Sequence, residues 1–315
     1  MKDVLGTLER WTAEGRRFAT ATVVKTERSA PRGPGAVLAV SEQGEVAGSV
    51  TGGCVEPAVY DEAQAVLAGG PPRLVSYGIA DEEAFEVGLP CGGTVHIFLA
   101  MTESDLVEQL GRAIREETPV ALAMEIAGSE IGKQELVSLN GHFEPGIDGD
   151  TFYLPFAPRP NMYVFGAVDH AAAVARIGTF LGYRVTVCDA RARFATRERF
   201  PEVDEIVVDW PDEFLRRAPV DERTAICVLT HDHKFDVPLL KVALETPAGY
   251  IGAMGARRTT ETRNERLLAE GVTEEQLGRI HAPIGLRLGA RTPEEVAVAV
   301  AAEIVATRRK AAVPA

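Results

Sequence analysis

The 315-residue sequence predicts two α/β domains, a mixed α/β domain over residues 1–157 and a doubly wound parallel sheet over residues 158–315. In the first half, Thr- and Val-rich segments bounded by glycine turns predict strands, with few helical patterns between them. In the second half, short apolar segments alternate with helical patterns, which is typical of a mostly parallel sheet. Pro158 and Pro160 mark the linker, because prolines on both sides of Arg159 prevent a helix from continuing.

Composition and charge narrow the classes of function. The formal net charge of −13 argues against binding to a nucleic-acid backbone, which requires a surface of Lys and Arg. Four cysteines are too few for a disulfide scaffold and indicate reduced thiols. The N-terminus predicts an amphipathic helix rather than an export signal, and no apolar run approaches the roughly 18 residues of a membrane span. We therefore expect a cytoplasmic protein that binds neither nucleic acid nor membrane.

The elements of the first half lead into a glycine-rich turn. Strands are predicted over residues 18–25, 36–40 and 46–50, with a hairpin between the second and the third. A helical pattern follows over residues 56–68 and ends at a pair of glycines. Further strands are predicted over residues 73–77, 94–100, 119–126 and 151–156, and a further helix over residues 106–116.

Two motifs place a cysteine against a pair of glycines. The residues are Gly52, Gly53 and Cys54 in the first motif, and Cys91, Gly92 and Gly93 in the second. Glycine pairs permit a tight turn and a close approach of the backbone to a ligand, since no Cβ blocks positive φ. A cysteine on such a turn can meet a metal or a sulfur-accepting group. The alternative is that both cysteines are small apolar residues packed where a turn meets the core.

Cys54 is the cysteine that we expect to be reactive. It lies at a predicted strand-to-helix junction, where a helix N-terminus presents free N–H groups and a partial positive charge. Such a place suits an anionic ligand and lowers the pKa of a neighbouring thiol. Glu56, in the first helical turn, is either a favourable partner of the helix dipole or a catalytic group.

The second half begins with the order of elements found in dinucleotide-binding units. A strand over residues 162–165 ends at Gly166, a helix follows, and a strand over residues 184–188 ends at Asp189, 23 residues beyond Gly166. Asp189 is therefore the candidate for a ribose contact. However, Val168 stands where the fingerprint has a glycine, and Asp169 would repel a pyrophosphate. The Rossmann-like fold is still predicted, but Val168 argues against ordinary NAD(P) binding.

Two later loops follow predicted strands at 225–229 and 249–251, so they belong to the carboxyl edge of the sheet. His231 and His233, with Asp232 and Asp236 nearby, form either a metal site or a polar loop that contacts a ligand or caps a helix. The other loop contains glycines and arginines suited to an anion, or else packs a helix N-terminus below surface arginines. Its candidate residues are Gly252, Gly255, Arg257 and Arg258.

The sequence resembles the XdhC/CoxI family over nearly its whole length. The similarity is carried by GSVTGGCVE at 48–56 and VGLPCGGTVHIFL at 87–99, and it continues through the second half. Members of this family are accessory factors that bind, sulfurate and insert the molybdenum cofactor for xanthine dehydrogenase and related hydroxylases. Many of them carry a glycine where Val168 stands, so the resemblance does not imply nucleotide binding there.

The resemblance implies a maturation factor rather than a turnover enzyme. The cargo would be molybdopterin or its cytosine dinucleotide, with Cys54 and Cys91 as candidate catalytic residues and molybdenum contacts. The partners would be an apo-molybdenum hydroxylase and a sulfur donor of the cysteine desulfurase type, and we expect a homodimer. The alternatives are an NAD(P)-dependent oxidoreductase and a structural component of a dehydrogenase complex.

Overall fold

The computed structural model describes residues 1–78, 92–139, 143–230 and 232–311. These residues form two compact units, Met1–Pro158 and Arg159–Ala315. Within the described ranges, no helix is both long and apolar enough to cross a membrane.

The N-terminal unit is built from antiparallel strands with helices packed on them. Its strands are β1 (Phe18–Glu27), β2 (Val37–Ser41), β3 (Val46–Gly48), β4 (Arg73–Tyr77), β5 (Thr94–Met101), β6 (Val120–Glu125), β7 (Gln134–Ser138), β8 (Gly146–Asp148) and β9 (Thr151–Phe156). Its helices are α1 (Leu5–Ala13), α2 (Glu56–Leu67) and α3 (Ser104–Arg115). One sheet has the order β3-β2-β1-β5-β4 and the other the order β7-β6-β9-β8, and every described pairing is antiparallel.

Strand β1 is buried on both faces because each face meets a different layer. Its small residues Ala19 and Ala21 pack with α2, whereas Phe18 packs with α1, α3 and the second sheet. Thr20 is also buried, and its hydroxyl is satisfied by a 2.8 Å hydrogen bond with that of Thr102. A near-continuous apolar strand of this kind is what burial on two faces requires.

The C-terminal unit confirms the predicted doubly wound parallel sheet. Its strands are β10 (Asn161–Phe165), β11 (Arg184–Cys188), β12 (Glu205–Val207), β13 (Ala225–Val228), β14 (Tyr250–Ala253) and β15 (Ile280–His281). They lie in the order β12-β11-β10-β13-β14-β15, and every described pairing is parallel. The strand order reverses between β10 and β13, so ligands are expected at the carboxyl ends of these strands.

Helices cover both faces of this sheet. They are α4 (Asp169–Phe180), α5 (Pro211–Arg217), α6 (His233–Glu245), α7 (Arg257–Ala269), α8 (Glu274–Leu277) and α9 (Pro293–Ala311). One core lies between the sheet and α4 and α9, and the other lies between the sheet and α5, α6, α7 and α8. Cys188 and Cys227 lie in these cores, and burial raises the pKa of each thiol to about 12.

Candidate functional site

The loop between β3 and α2 wraps around the side chain of Glu56. This carboxylate accepts hydrogen bonds of 2.6–3.2 Å from backbone N–H groups and hydroxyls of the loop. The N–H donors belong to Val50, Thr51, Gly52, Gly53 and Val55, and the hydroxyls to Ser49 and Thr51. Partial burial alone would raise the pKa of Glu56, but these hydrogen bonds outweigh it and hold the pKa well below its usual range.

The carboxylate of Glu56 therefore fills the anion-binding concavity that the sequence places beside Cys54. Gly52 and Gly53 have φ values of 90° and 124°, which point their N–H groups at one place. The expectation of N–H groups open to an anionic ligand differs from the structure, because the first residue of α2 folds back and binds them. Cys54 itself is half-buried on this loop and packs partly against the core below α2.

The turn at residues 28–35 lies against Ser49, which precedes the first glycine motif, and against Gly93 of the second motif. Arg32 Nη1 donates a 3.0 Å hydrogen bond to the carbonyl oxygen of Ser49, at the start of the loop between β3 and α2 (residues 49–55), which we call the Gly-Cys loop. A Cβ on Gly93 would lie 2.1 Å from the carbonyl oxygen of Ser29, so the close approach at this glycine is to the chain itself. Gly92, with φ of 77°, precedes it. Cys91 lies outside the described residues, and its role as a catalytic residue and molybdenum contact stays a prediction.

A cavity of about 510 Å³ opens at the carboxyl ends of β10, β11 and β13. It therefore lies at the reversal of strand order, where ligands bind in such sheets. Its lining residues are Val168, Asp189, Ala190, Arg191, Pro211, Thr230, Asp232, His233, Lys234 and Phe235.

Asp189, the candidate ribose contact, is 3% exposed, and the protein itself binds its carboxylate. It accepts hydrogen bonds from the backbone N–H groups of Ala167 and Arg191 at 2.7 and 2.8 Å. The guanidinium of Arg191 adds two more, at 2.9 and 2.7 Å. Burial acts to raise the pKa of Asp189, but these hydrogen bonds outweigh it and the pKa is lowered. A ribose hydroxyl would have to displace one of these donors.

The N-terminus of α4 does not fit a pyrophosphate. Val168 has an extended backbone, lines the cavity and packs against the core shared by α4 and α9. Asp169 follows in the first turn and pairs with Arg199 at 3.1 Å. Gly166 has φ of 100°, and a Cβ there would lie 2.8 Å from Cγ2 of Thr230, so this glycine lets the end of β10 approach the end of β13.

His233 is the first residue of α6, and its Nδ1 is buried without a hydrogen-bond partner in the described part of the chain. Asp232 caps the helix by accepting a 3.1 Å hydrogen bond from the N–H of Lys234. Asp236 is fully buried and accepts a hydrogen bond from Thr230 Oγ1. The ranges that the structure describes contain no cluster of three His, Cys, Asp or Glu residues suited to a metal. His231 falls outside those ranges.

The four candidates after β13 lie in a strand, in the loop that follows it and at the start of a helix. Gly252 lies within β14, where a Cβ would be 2.6 Å from Cδ1 of Ile284, so packing accounts for this glycine and a ligand contact stays a prediction. Gly255 lies in the loop before α7 with φ of 150°. Arg257 and Arg258 are the first two residues of α7, and both are exposed.

Arg263 is the functional candidate that sequence reasoning missed. It is fully buried on α7, donates a 2.8 Å hydrogen bond to the carbonyl oxygen of Met254, and lies 3.9 Å from Asp236. Burial lowers the pKa of this guanidinium, and Asp236 partly offsets that effect. A signal existed: Arg263 precedes the apolar Leu267 by four residues, so both belong to one helix face.

Two family models match the chain. The model described as the XdhC and CoxI family matches residues 11–78, and that described as the XdhC Rossmann domain matches residues 162–304. The chain is 27% identical over 321 residues to a probable xanthine dehydrogenase subunit of Bacillus subtilis (strain 168), covering 93% of this chain and 94% of that protein. It is 29% identical over 296 residues to the molybdenum cofactor insertion chaperone PaoD of Escherichia coli (strain K12), covering 93% and 84%.

A solved structure shares the fold. The crystal structure described as a xanthine dehydrogenase from Bacillus halodurans matches with a TM-score of 0.70 at 23% identity, covering 97% of this chain and 96% of that one. The two family models match opposite halves of the chain, on either side of the linker. The chain belongs to the XdhC/CoxI family.

Proposed function

We propose that this protein binds molybdenum cofactor and supports its sulfuration and its insertion into a molybdenum hydroxylase of the xanthine dehydrogenase type. The relative named as a molybdenum cofactor insertion chaperone supports this role. The structural observation that carries the proposal is the Gly-Cys loop. This loop donates seven hydrogen bonds to Glu56, five from its backbone and two from its hydroxyls, and it presents the half-buried thiol of Cys54.

The two ends of the cofactor require different chemistry. Its metal end is rich in sulfur, and thiolates such as those of Cys54 and, by prediction, Cys91 are suitable soft partners. Its other end carries phosphate, as molybdopterin or as the cytosine dinucleotide. Donors at the start of α7, including Arg257 and Arg258, suit a phosphate group.

The proposal requires protein partners. An apo-molybdenum hydroxylase would receive the cofactor, and a sulfur donor of the cysteine desulfurase type would supply the sulfur atom. The protein would act in the cytoplasm as a homodimer. It would hold and transfer cargo, and no turnover of a small substrate is needed for that role.

One observation favours an NAD(P)-dependent oxidoreductase instead, namely the cavity at the reversal of strand order. Two features of that cavity oppose this alternative. Val168 occupies the place where a pyrophosphate needs the backbone, and the carboxylate of Asp189 is already bound by Arg191 and Ala167. We therefore rank this function second.

The test is the pterin and molybdenum content of the purified protein. The protein is produced in a host that makes molybdenum cofactor, denatured and oxidised, and pterin fluorescence is measured with molybdenum by mass spectrometry. We expect near-stoichiometric pterin in the parent protein and a fall to background in Cys54→Ala. Asp61→Ala, an exposed change on α2, serves as the control and should retain the cofactor. Absence of pterin together with NAD(P)H-dependent turnover would establish the oxidoreductase.

A further inference from the structure

Buried side-chain atoms of His233 on α6, and of Thr260 and Arg263 on α7, have no hydrogen-bond partner among the described residues. They are His233 Nδ1, Thr260 Oγ1, Arg263 Nε and Arg263 Nη2. Buried polar atoms in folded proteins are almost always satisfied by protein or by a bound molecule. Their concentration at one edge of the sheet therefore points to a bound group that supplies acceptors.

The guanidinium of Arg263 reaches the loop that precedes α7. Long side chains on a helix point toward its N-terminus, and Nη1 of Arg263 accordingly donates to the carbonyl oxygen of Met254 at 2.8 Å. A Cβ built on Gly255 would lie 3.7 Å from the same nitrogen. The residue is 0% exposed, and its Nε and Nη2 donors remain for a ligand at this loop.

The first turn of α7 has an arrangement that opposes the helix dipole. No described side chain caps it, since its N-cap residue is Ala256, and no acidic residue lies in its first turn. Instead the turn begins with Arg257 and Arg258. Cations at a helix N-terminus are unfavourable by themselves, and they become favourable when an anion binds between them and the free N–H groups.

The start of α6 lies beside the start of α7. Strands β13 and β14 are parallel neighbours, so the helices that follow them begin at the same edge, and α6 packs against α7. A buried chain of contacts joins the two strand ends, from Thr230 to Asp236, across 3.9 Å to Arg263, and on to the carbonyl oxygen of Met254. His233 lies one turn before Asp236 on the same helix.

We propose that a phosphate monoester binds between the first turns of α6 and α7. Arg257, Arg258 and the N–H groups of α7 bind the phosphate oxygens from the solvent side. Thr260 Oγ1, the unused nitrogens of Arg263 and His233 Nδ1 complete the site from the protein side. The site replaces the usual phosphate position at the first helix of such folds, where Val168 stands. The proposal rests on the proposed function only in identifying the ester as the phosphate of molybdopterin.

The test uses inorganic phosphate as the probe and isothermal titration of the full chain in a chloride buffer. We expect one phosphate per chain, and an affinity weakened by about tenfold or more in Arg257→Ala/Arg258→Ala, because two charge-assisted contacts are lost. Arg266→Ala is the matched control, since it removes an exposed arginine from the last turn of the same helix. Absence of binding by the parent chain, or equal weakening by Arg266→Ala, would overturn the proposal.

Thr260→Val separates a ligand role from a structural one. The change removes a buried hydroxyl that has no partner in the described chain, so thermal stability without phosphate should be unchanged or higher while phosphate affinity falls. Pterin content of the same variants distinguishes the two proposals. Phosphate binding that is sensitive to Arg257 and Arg258, with no pterin ever recovered, supports the site and contradicts the cofactor function. Pterin retained by the double variant, with no phosphate binding, contradicts the site alone.

Discussion

The glycine-containing loops before α2 and before α7 differ in what binds their backbone N–H groups. The loop before α2 turns its N–H groups onto the carboxylate of Glu56, the first residue of that helix. The loop before α7 has no acidic residue in the first turn of its helix, which begins with Arg257 and Arg258. We call the first loop closed, because a carboxylate of the protein binds its N–H groups, and the second open, because no acid of its helix does so.

The difference shows that glycines before a helix do not by themselves specify a ligand site. Between α2 and α7, the difference lies in the residues of the first helical turn. The start of α9 agrees with this view, because Glu295 accepts hydrogen bonds from the N–H groups of Arg291 and Thr292, while Thr292 Oγ1 accepts from the N–H of Glu295. The N–H groups before α2 and α9 are therefore bound by an acid of the helix itself, and of these three helices α7 is the one whose N–H groups have no such partner.

The largest expected change in stability comes from the buried ion pair of Asp236 and Arg263, next to the loop before α7. Asp236→Ala leaves the guanidinium of Arg263 buried without its carboxylate, and we expect the free energy of unfolding to fall by about 3–5 kcal/mol. Chemical denaturation measures this loss, with Asp232→Ala as the control, which removes a helix cap and an exposed ion pair with Lys234. The double variant Asp236→Ala/Arg263→Met should recover much of the loss. A double variant as unstable as Asp236→Ala would show that the charge pair is not the cause.

The closed loop should depend on Glu56 nearly as strongly. Glu56→Ala removes the acceptor of seven hydrogen bonds and leaves the N–H groups to water, so we expect a loss of about 2–4 kcal/mol in the free energy of unfolding. The exposed Asp61→Ala on the same helix should cost far less. The labelling rate of Cys54 by a thiol reagent should also change in Glu56→Ala alone. Equal stability of the two variants would mean that the loop does not need its internal anion.

The pH dependence of stability tests whether the ionised carboxylate of Glu56 stabilises the loop before α2. The pKa of Glu56 is lowered in the folded state, so the unfolded chain binds its proton first as the pH falls. The stabilisation by Glu56 is therefore complete above its unfolded pKa of about 4.3, and is lost progressively below that value. Denaturation at a series of pH values should show a smaller acid-induced loss in Glu56→Gln than in the parent protein. Parallel pH profiles would contradict this assignment.

The fold could be predicted from the sequence because the spacing of apolar residues, and the glycines that end helices and strands, are local signals. The alternation of apolar segments with helical patterns was enough to predict the parallel sheet of the second half. The end of β14 was predicted less accurately. The sequence indicated a strand over residues 249–251, whereas β14 runs to Ala253 and includes Gly252. Strand ends in a parallel sheet are set by neighbouring strands, here β13 and β15, and these contacts are not local.

The sequence predicted where the candidate residues lie in the fold, but not which groups of the protein bind their side chains. Asp189 was placed correctly after β11, yet its saturation by Arg191 and Ala167 depends on side-chain geometry. Glu56 was predicted to be either a dipole partner or a catalytic group, and neither interpretation included the binding of its carboxylate by the N–H groups of the preceding loop. The pairing of Asp236 with Arg263 joins two helices, and no pattern within either helix specifies it.

The smallest expected change in stability comes from a substitution that gives the loop before α7 an acid of its own. Ala256 is the exposed N-cap of α7 with an extended backbone, so Ala256→Asp should cap the free N–H groups and raise the free energy of unfolding by about 1 kcal/mol. The same carboxylate would stand where the phosphate is proposed, so phosphate binding should be lost. Ala256→Ser adds a cap without a charge, and should stabilise the helix while retaining most phosphate affinity. If Ala256→Asp gains stability and still binds phosphate as tightly as the parent chain, the anion does not bind at the start of α7, and the contrast between the two loops is one of helix capping alone.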